Sequence, residues 1–193
     1  RGAEQTAWEV CVRQGRRTLW ESGRVASSRS AGIPYEGPPL LSSTRYEWRV
    51  RVWDGEGRKS RWSEPASWET GLFDEAEWKG RWIASGEEGE GDESRPSPLL
   101  RGEFRVDGAV RSARAYATSL GLYELEINGR RVGDRLFAPG WTSYGKRLAY
   151  QTYDVTEHLR RGENVVGATL GDGWYRGRLH RTGGVYRNVY GSR

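Results

Sequence analysis

The chain has 193 residues, a formal net charge of +5 and a mean hydropathy of -0.84, and 35% of its residues are hydrophobic. It nevertheless contains ten Trp and ten Tyr, which bury large areas each, and 27 Gly, about twice the usual ~7% share. This composition favours a soluble all-β protein. A bilayer-spanning chain is excluded because no apolar run approaches the ~18 residues required, and the single cysteine excludes an intrachain disulfide.

The basic residues do not form a nucleic-acid-binding pattern. Almost all of the 31 basic residues are Arg, and they are spread along the chain beside 26 acidic residues. The tightest basic clusters are only pairs, at 16–17, 130–131 and 160–161. Nucleic-acid recognition needs a concentrated basic patch or stripe. We therefore expect solvated guanidinium groups and neither a nucleic-acid nor a membrane partner.

Four segments of the N-terminal third have the pattern of short strands, at 5–13, 18–21, 44–53 and 68–72. Apolar and polar side chains alternate along the longest two, as they do in a half-buried strand. The predicted inward face of the third segment consists of Tyr46, Trp48, Val50 and Val52. Cys11 lies on the first strand, so we expect a buried or edge thiol. Short strands at this spacing predict a β-sandwich.

The segment SSTRYEWRVRVWDGEGRKSRWSEPASWETG resembles the last third of a fibronectin type III domain. The resemblance implies that Tyr46 ties a chain corner through its hydroxyl. Trp48 shares the parity of two valines and is predicted to be a core residue, while Trp62 and Trp68 are predicted to pack rather than stack on sugars. A fibronectin-type domain has about seven strands, and only four residues precede Gln5. We therefore expect this first domain, residues 1–73, to lack its leading strand.

The junction after this domain contains a helix-start signal and an acidic segment. Asp74 and Glu77 have the spacing of a capping box, which predicts one helical turn. Residues 87–98 carry five acids between Glu87 and Glu93 among Gly, Ser and Pro. This segment has no apolar face and lacks the ordered ligand spacing of a calcium loop. It is predicted to be a surface loop without a metal ion.

The C-terminal two thirds begin with predicted strands at 99–106 and 110–118 and continue into a hairpin. Tyr123, Leu125 and Ile127 alternate with polar residues, and Asn128-Gly129 is the dipeptide that favours a two-residue turn with positive φ. Further on, Asp154 or Thr156 can cap a helical turn that Gly162 ends, before a strand at 165–170. A hairpin followed by a capped turn and a strand suits a jelly-roll sandwich.

Three motifs in this region resemble the N-terminal jelly-roll domain of bacterial α-L-rhamnosidases, glycoside hydrolase family 78. They read GLYELEINGRRVGD, APGWTSYGKRLAYQTYDVT and LGDGWYRGRL. The resemblance implies two tandem β-sandwiches, a fibronectin-III/Ig-like domain over residues 1–73 and a jelly roll over residues 74–193. Both are expected to be truncated, since further strands follow in the family and the chain begins at Arg1 without any Met. For the same reason the compartment stays open.

The resemblance also implies a function for the parent protein. Family members are inverting hydrolases that remove terminal α-L-rhamnose, and both of their catalytic acids lie on an (α/α)6 barrel. The expected partners are therefore a rhamnose-containing glycoside or polysaccharide and the protein's own barrel. Inversion needs two carboxyl groups about 6.5–9.5 Å apart, and nothing in the sequence indicates that any two acids converge. We assign this part no catalytic residue, metal or cofactor, and expect both His158 and His180 to be exposed and inert.

Two loops combine aromatic rings with charged donors and acceptors, at 139–144 (PGWTSY) and 171–178 (GDGWYRGR). Sugar recognition uses this combination, because C–H faces stack on aromatic rings while hydroxyl groups bond to charged side chains. The glycines at 171, 173 and 177 would permit close backbone approach. Substrate binding, packing on the barrel and ordinary core packing all remain open, and Trp174 is expected to be largely exposed. The candidate site residues are Trp141, Tyr144, Asp172, Trp174, Tyr175 and Arg176.

Two rival interpretations remain open, the first from a different class and the second also enzymatic. Tandem sandwiches also occur in non-catalytic carbohydrate-binding or adhesion modules. Repeated sandwiches or an anchoring signal in the flanking sequence would favour that interpretation. A similar jelly roll also occurs in other multidomain glycosidases. A long α-helical region downstream would favour the rhamnosidase interpretation.

Overall fold

The computed structural model describes residues 4–86 and 96–177, which form two compact units. The N-terminal unit is residues 1–80 and the C-terminal unit is residues 81–193. The described strands of the first are β1 (Gln5–Gln14), β2 (Arg17–Glu21), β3 (Val25–Ala26), β4 (Arg45–Asp54) and β5 (Ala66–Glu69). Those of the second are β6 (Leu99–Val106), β7 (Arg114–Ala117), β8 (Leu122–Ile127), β9 (Arg130–Arg131), β10 (Gln151–Asp154) and β11 (Gly162–Gly171), with a single helical turn, α1 (Gly173–Arg176). The predicted all-β class is confirmed.

The strands of the N-terminal unit form one antiparallel sheet in the order β2-β1-β4-β5, with β3 also pairing with β1. Cys11 is fully buried, as predicted. Trp48 is 38% exposed, so its prediction as a core residue is wrong. Its cross-strand partner is Val12 and it shares its face with Val50 and Val52, but both valines are only half-buried. Alternation gives the face of a side chain and not the depth to which that face is covered.

Tyr46 closes a corner of the N-terminal unit. Its side chain is 1% exposed, and its hydroxyl oxygen accepts a hydrogen bond of 2.7 Å from the backbone N–H of Leu41. The ring stacks on Trp68, with centroids 5.4 Å apart. The predicted tie through the hydroxyl and the predicted packing role of Trp68 are both confirmed.

Trp62 packs between two arginines of β4. The guanidinium carbons of Arg49 and Arg51 lie 4.6 and 4.3 Å from its ring centroid, and Arg51 also pairs with Glu9 at 2.7 Å. The series continues to Trp53, which is 9% exposed. Each contact is a cation–π interaction. We call this series the arginine–tryptophan ladder, consisting of Arg49, Trp62, Arg51, Trp53 and Arg24. The predicted packing role of Trp62 is confirmed.

Two serines flanking Trp62 hold its segment beside β4. The hydroxyls of Ser60 and Ser63 accept hydrogen bonds of 3.0 and 3.1 Å from the backbone N–H groups of Val52 and Val50. The N–H groups of the same serines donate back to the carbonyls of the two valines. The backbone of β4 is thus satisfied here without a regular strand pairing.

The predicted capping box is present at the end of the N-terminal unit. The Asp74 carboxylate accepts from the N–H of Ala76 at 2.8 Å, and Glu77 accepts from the N–H of Asp74 at 3.0 Å. Glu77 also accepts a 2.7 Å hydrogen bond from the Ser42 hydroxyl. The hydrogen bonds that Glu77 accepts lower the pKa of its carboxyl group. The bond from Ser42 has the largest effect, followed by the bond from the N–H of Asp74.

The C-terminal unit contains two antiparallel sheets among its described residues, β6-β11-β8-β9 and β10-β7. Its core consists of Tyr123, Ile127, Val132, Ala138, Tyr153 and Val155. The inward face predicted for β8 is confirmed, and the strand predicted at 110–118 is shorter, at Arg114–Ala117. Two buried hydroxyls, those of Tyr123 and Tyr153, lie 3.1 Å apart. Burial, followed by this hydrogen bond, raises the pKa of Tyr123 well above its ordinary value.

The β8–β9 hairpin turns at Asn128 and Gly129, whose φ angles are 52° and 74°. Positive φ at both positions confirms the predicted turn. The Asn128 amide donates to the His158 carbonyl at 2.9 Å and to Asn164 Oδ1 at 2.8 Å, and its own oxygen accepts from the N–H of Val165 at 3.0 Å. The side chain of Asn128 therefore joins the hairpin to β11.

The helical turn predicted after residue 153 is a 3-10 turn at Thr156–His158. Its N-cap residue is Val155, without a side-chain cap, while the Asp154 carboxylate accepts from the N–H and hydroxyl of Thr156 at 3.0 and 2.6 Å. Gly162 was predicted to end this turn, and that prediction is wrong. Gly162 is the first residue of β11. Asn164 explains the difference, because its buried amide bonds to the Arg160 and Gly162 carbonyls and keeps the connection extended.

Two segments that carry predictions fall wholly or partly beyond the described residues. Most of the acidic segment at 87–98 and the residues from 178 onward, including His180, lie outside them. Within the described ranges, no helix has the length and apolar character needed to cross a membrane. The same ranges contain no cluster of three His, Cys, Asp or Glu side chains suited to a metal ion.

Candidate functional site

The two loops singled out in the sequence lie side by side in the C-terminal unit. The rings of Trp141 and Trp174 stack with an interplanar angle of 6° and centroids 6.2 Å apart. Tyr144 meets Tyr175 edge to face at 5.2 Å. A third ring, Phe137, approaches Trp174 edge to face at 5.8 Å. These separations are those of favourable aromatic pairs. We call Phe137, Trp141 and Trp174 the aromatic platform.

The segment that carries Phe137 and Trp141 is anchored by two of the three residues between them, Ala138 and Pro139. Ala138 is 4% exposed, and its carbonyl accepts from the N–H of Tyr123 at 3.0 Å. The carbonyl of Pro139, which is also buried, accepts from the Gln151 side chain at 3.1 Å. The buried anchors leave the aromatic residues on either side pointing outward.

Phe137 adopts a backbone conformation that is rare for its residue type. Its φ is 57°, in the left-handed region, where a non-glycine residue costs about 1–3 kcal/mol. Phe137 is 64% exposed, so burial of its ring does not offset that cost. Such outliers cluster at binding and catalytic sites, and this one brings an aromatic edge against Trp174.

Helix α1 positions Trp174, Tyr175 and Arg176 directly after β11. The Asp172 carbonyl accepts from the N–H groups of Tyr175 and Arg176, both at 3.1 Å. Gly173 has a φ of 48°, and a Cβ atom there would lie 2.5 Å from Leu122 Cγ. A side chain at this position would clash with the protein's own β8, so glycine is required here, and the predicted close approach to a sugar stays a prediction.

The prediction that Trp174 is largely exposed is wrong, and the exposed indole is Trp141. Trp174 is half-buried because Phe137 and Trp141 cover parts of its ring. Trp141 is 59% exposed and stacks through one face only. Within the platform, Trp174 therefore lies beneath Trp141, and the ring face that is open to solvent belongs to Trp141.

A charged pair flanks Trp174 in the sequence. Arg176 Nε lies 3.6 Å from Asp172 Oδ1, and the two side chains keep 46% and 45% of their surface exposed. Two further acids of this unit also have arginine partners: Glu124 pairs with Arg131 at 3.2 Å, and Asp154 with Arg114 at 3.0 Å. The site thus presents aromatic faces and a polar rim, which is binding chemistry.

Sequence reasoning placed Trp141, Tyr144, Asp172, Trp174, Tyr175 and Arg176 in two candidate loops and did not connect them. The structure brings Trp141 to Trp174 and Tyr144 to Tyr175. It adds Phe137, which the sequence analysis missed. The available signal was the turn-forming Pro139-Gly140, because an aromatic residue just before such a turn is not part of a strand.

Comparison with known proteins supports the assignment of both units. Residues 1–74 match the family model described as the Rha78A-like, N-terminal immunoglobulin domain, and residues 108–193 match that of the alpha-L-rhamnosidase N-terminal domain. An alpha-L-rhamnosidase of Formosa agariphila is 38% identical over 167 residues, which cover 83% of this chain and 18% of the relative. One from an Alteromonas species is 33% identical over 195 residues, covering 93% of this chain and 21% of the relative.

Solved structures give the same result. The native alpha-L-rhamnosidase of Aspergillus terreus aligns with a TM-score of 0.88 and 41% identity, over 98% of this chain and 22% of its own. The Streptomyces avermitilis enzyme, complexed with L-rhamnose, aligns with a TM-score of 0.81 and 25% identity, over 93% and 34%. The chain spans about a fifth of the length of the curated relatives described above. Residues 1–74 thus match the N-terminal immunoglobulin domain and residues 108–193 the N-terminal domain of α-L-rhamnosidases, so the chain is similar to the N-terminal part of proteins of that name.

Proposed function

We propose that this chain is the non-catalytic N-terminal part of a glycoside hydrolase that removes terminal α-L-rhamnose from glycosides. The observation that carries the proposal is the extent of the similarity. Relatives named alpha-L-rhamnosidase match both units almost from end to end, while the chain spans only about a fifth of their length. Its own fold is an arrangement of sheets whose candidate site is built for binding.

The chemistry of the parent protein is proposed to lie outside these residues. Glycoside hydrolysis needs two carboxyl groups across one sugar ring, one of them protonated at working pH. Asp154 and Asp172 each have an arginine partner instead. The catalytic acids would lie on the (α/α)6 barrel that the family resemblance implies, and the present part would support and orient that barrel.

The candidate site supports a binding role within this function. Trp141, Tyr144, Asp172, Trp174, Tyr175 and Arg176 would contact either the substrate or the barrel. The exposed ring of Trp141 also keeps a second function open, that of a carbohydrate-binding module without a catalytic partner. The two functions differ in whether the complete protein turns over a rhamnoside.

The test is an assay of two proteins on 4-nitrophenyl α-L-rhamnopyranoside. One is the 193-residue chain and the other is the complete product of its gene. We expect release of nitrophenol by the complete protein only. Turnover by the chain alone, after removal of host enzymes, would overturn its non-catalytic role. A complete protein that cleaves other glycosides but no α-L-rhamnoside would overturn the proposed substrate.

A further inference from the structure

The open face of Trp141 is the feature of the C-terminal unit that no contact within the described residues explains. One face of the indole stacks on Trp174 with an interplanar angle of 6°. A ring covered on one side and still 59% exposed presents its other face to solvent. This face is flat, and the parallel ring beneath it, itself held by the edge of Phe137, keeps it in place.

We propose that the aromatic platform and the Asp172–Arg176 pair form a carbohydrate-binding site for a pyranose ring of a rhamnose-containing glycan. In this site the sugar's C–H face lies on the open face of Trp141. The pair on α1 binds the equatorial hydroxyl groups at the ring edge, Arg176 as donor and Asp172 as acceptor. The choice of rhamnose as the sugar rests on the proposed function. The stacking of a pyranose ring on Trp141 is inferred from the geometry of the platform alone.

The charged pair favours a glycan over a protein as the occupant. Both side chains keep nearly half of their surface in water, and their separation of 3.6 Å is long for an ion pair. Aspartate is depleted in protein interfaces, because enclosing a carboxylate costs desolvation free energy. Hydroxyl groups of a sugar can replace water at such a pair one hydrogen bond at a time.

The anchoring of the platform is also what a binding site requires. Ala138 and Pro139 are buried and bonded to β8 and β10, so the outward position of the rings is imposed by the core. Phe137 keeps a strained φ of 57° to reach Trp174. A rigid aromatic surface loses little conformational entropy when a ligand binds, which raises affinity.

The test is calorimetric titration of the 193-residue chain with an α-linked L-rhamnose trisaccharide, using cellotriose as the second probe. We expect weak binding of the rhamnose trisaccharide, with a dissociation constant on the order of 1 mM, and a smaller or no response to cellotriose. Trp141→Ala should weaken binding at least tenfold, and Trp141→Tyr should restore most of it. Arg176→Gln should weaken it several-fold.

Trp82→Ala is the matched control, since Trp82 is an equally exposed tryptophan, at 66%, outside the platform. It should leave binding unchanged within about twofold. Near-ultraviolet circular dichroism and a thermal melt of each variant show whether it folds; if Trp141→Ala does not, Trp141→Tyr and Arg176→Gln decide. Equal losses in the Trp82 and Trp141 variants, or wild-type binding that none of the platform variants changes, would overturn the site.

The outcomes separate this inference from the proposed function. If the chain binds no rhamnose trisaccharide while the complete protein cleaves the aryl rhamnoside, the site is wrong and the function stands. If the chain binds the trisaccharide through Trp141 and the complete protein cleaves no rhamnoside, the site stands and the proposed function is wrong. A Trp141→Ala change that lowers the melting temperature of the complete protein but not that of the chain, without sugar binding, would show that a protein surface covers the platform.

Discussion

The tryptophans that pack on other side chains do so in different ways in the two units. In the N-terminal unit Trp62 lies against two guanidinium groups of β4 and Trp68 stacks on Tyr46, although Trp48 is 38% exposed. In the C-terminal unit Trp141 and Trp174 stack on each other and leave one face in water. The partners of Trp62 are two arginines at alternate positions of one strand, whereas Trp141 and Trp174 pair across two loops. The exposed fraction of the ring separates a structural tryptophan from a candidate for binding.

The largest loss of stability is expected from Asn164→Ala in the C-terminal unit. Asn164 is fully buried, and its amide bonds to Asn128, to the N–H and carbonyl of Arg160 and to the Gly162 carbonyl. Leaving these groups unsatisfied should cost on the order of 3 kcal/mol or more. Hydrogen exchange by mass spectrometry should show faster exchange in β8 and β11 and no change in β1 and β4. Uniform loosening of both units would contradict their independence. Gln151→Ala, which removes one hydrogen bond, is the control.

The next largest effect tests the contrast between the two kinds of tryptophan. Trp62→Ala removes a half-buried ring and two cation–π contacts, so it should lower the free energy of unfolding of the N-terminal unit by about 2 kcal/mol. Trp141→Ala should cost less than about 1 kcal/mol, because most of that ring is already in water. Urea denaturation of both variants measures the difference. Equal losses would show that exposure does not separate the two roles.

A smaller effect is expected at the corner of the N-terminal unit. Tyr46→Phe removes only a hydroxyl but leaves the N–H of Leu41 without its 2.7 Å partner, which should cost about 1–2 kcal/mol. Tyr35→Phe is the matched control, because the Tyr35 hydroxyl donates to the Pro38 carbonyl in an exposed position. Its loss should be measurably smaller in the same urea titration. If the two variants unfold alike, the Tyr46 hydroxyl does not tie the corner.

The smallest effect concerns pH. Hydrogen bonds from Ser42 and from backbone N–H groups lower the pKa of Glu77 in the folded state below its ordinary value of 4.5. A group with a lowered folded-state pKa contributes stability above its unfolded pKa, and this contribution is lost as the pH falls through the folded value. The melting temperature of Glu77→Gln should therefore approach that of wild type below pH 4.5. Glu75→Gln, in the same turn, is the control. A difference in melting temperature between Glu77→Gln and wild type that persists at low pH would refute the argument.

Local patterns predicted the elements of the fold well. Alternation located β1, β4 and β8, and Asn128-Gly129 located the turn, because each depends on neighbours in sequence. The depth of Trp48 could not be predicted, since it depends on what covers the sheet. The position of Trp62 between Arg49 and Arg51 could not be predicted either, because its segment follows β4 without being a regular strand. The corner at Tyr46 was available only through the family resemblance.

The candidate site was predictable in part. Its residue types indicated binding, and all six residues were identified in two loops. Their pairing was not predictable, because it depends on how α1 leaves β11 and on the close approach of Gly173 to Leu122. Phe137 was missed because the Pro139-Gly140 turn shows only that it lies outside a strand, while its left-handed φ and its contact with Trp174 depend on tertiary packing.

The hydrogen bonds of Asn128 also bear on the chemical lifetime of the protein. Asn-Gly pairs are prone to lose ammonia when the glycine nitrogen attacks the side-chain carbonyl, since glycine offers no steric hindrance. Here three hydrogen bonds fix that amide against His158, Asn164 and Val165. The attack needs a rotation that would break them, so we expect Asn128 to be retained in folded protein and to convert to aspartate or isoaspartate in urea. Peptide mapping of samples aged under the two conditions would measure this, and the hairpin would then record how long each molecule has spent unfolded.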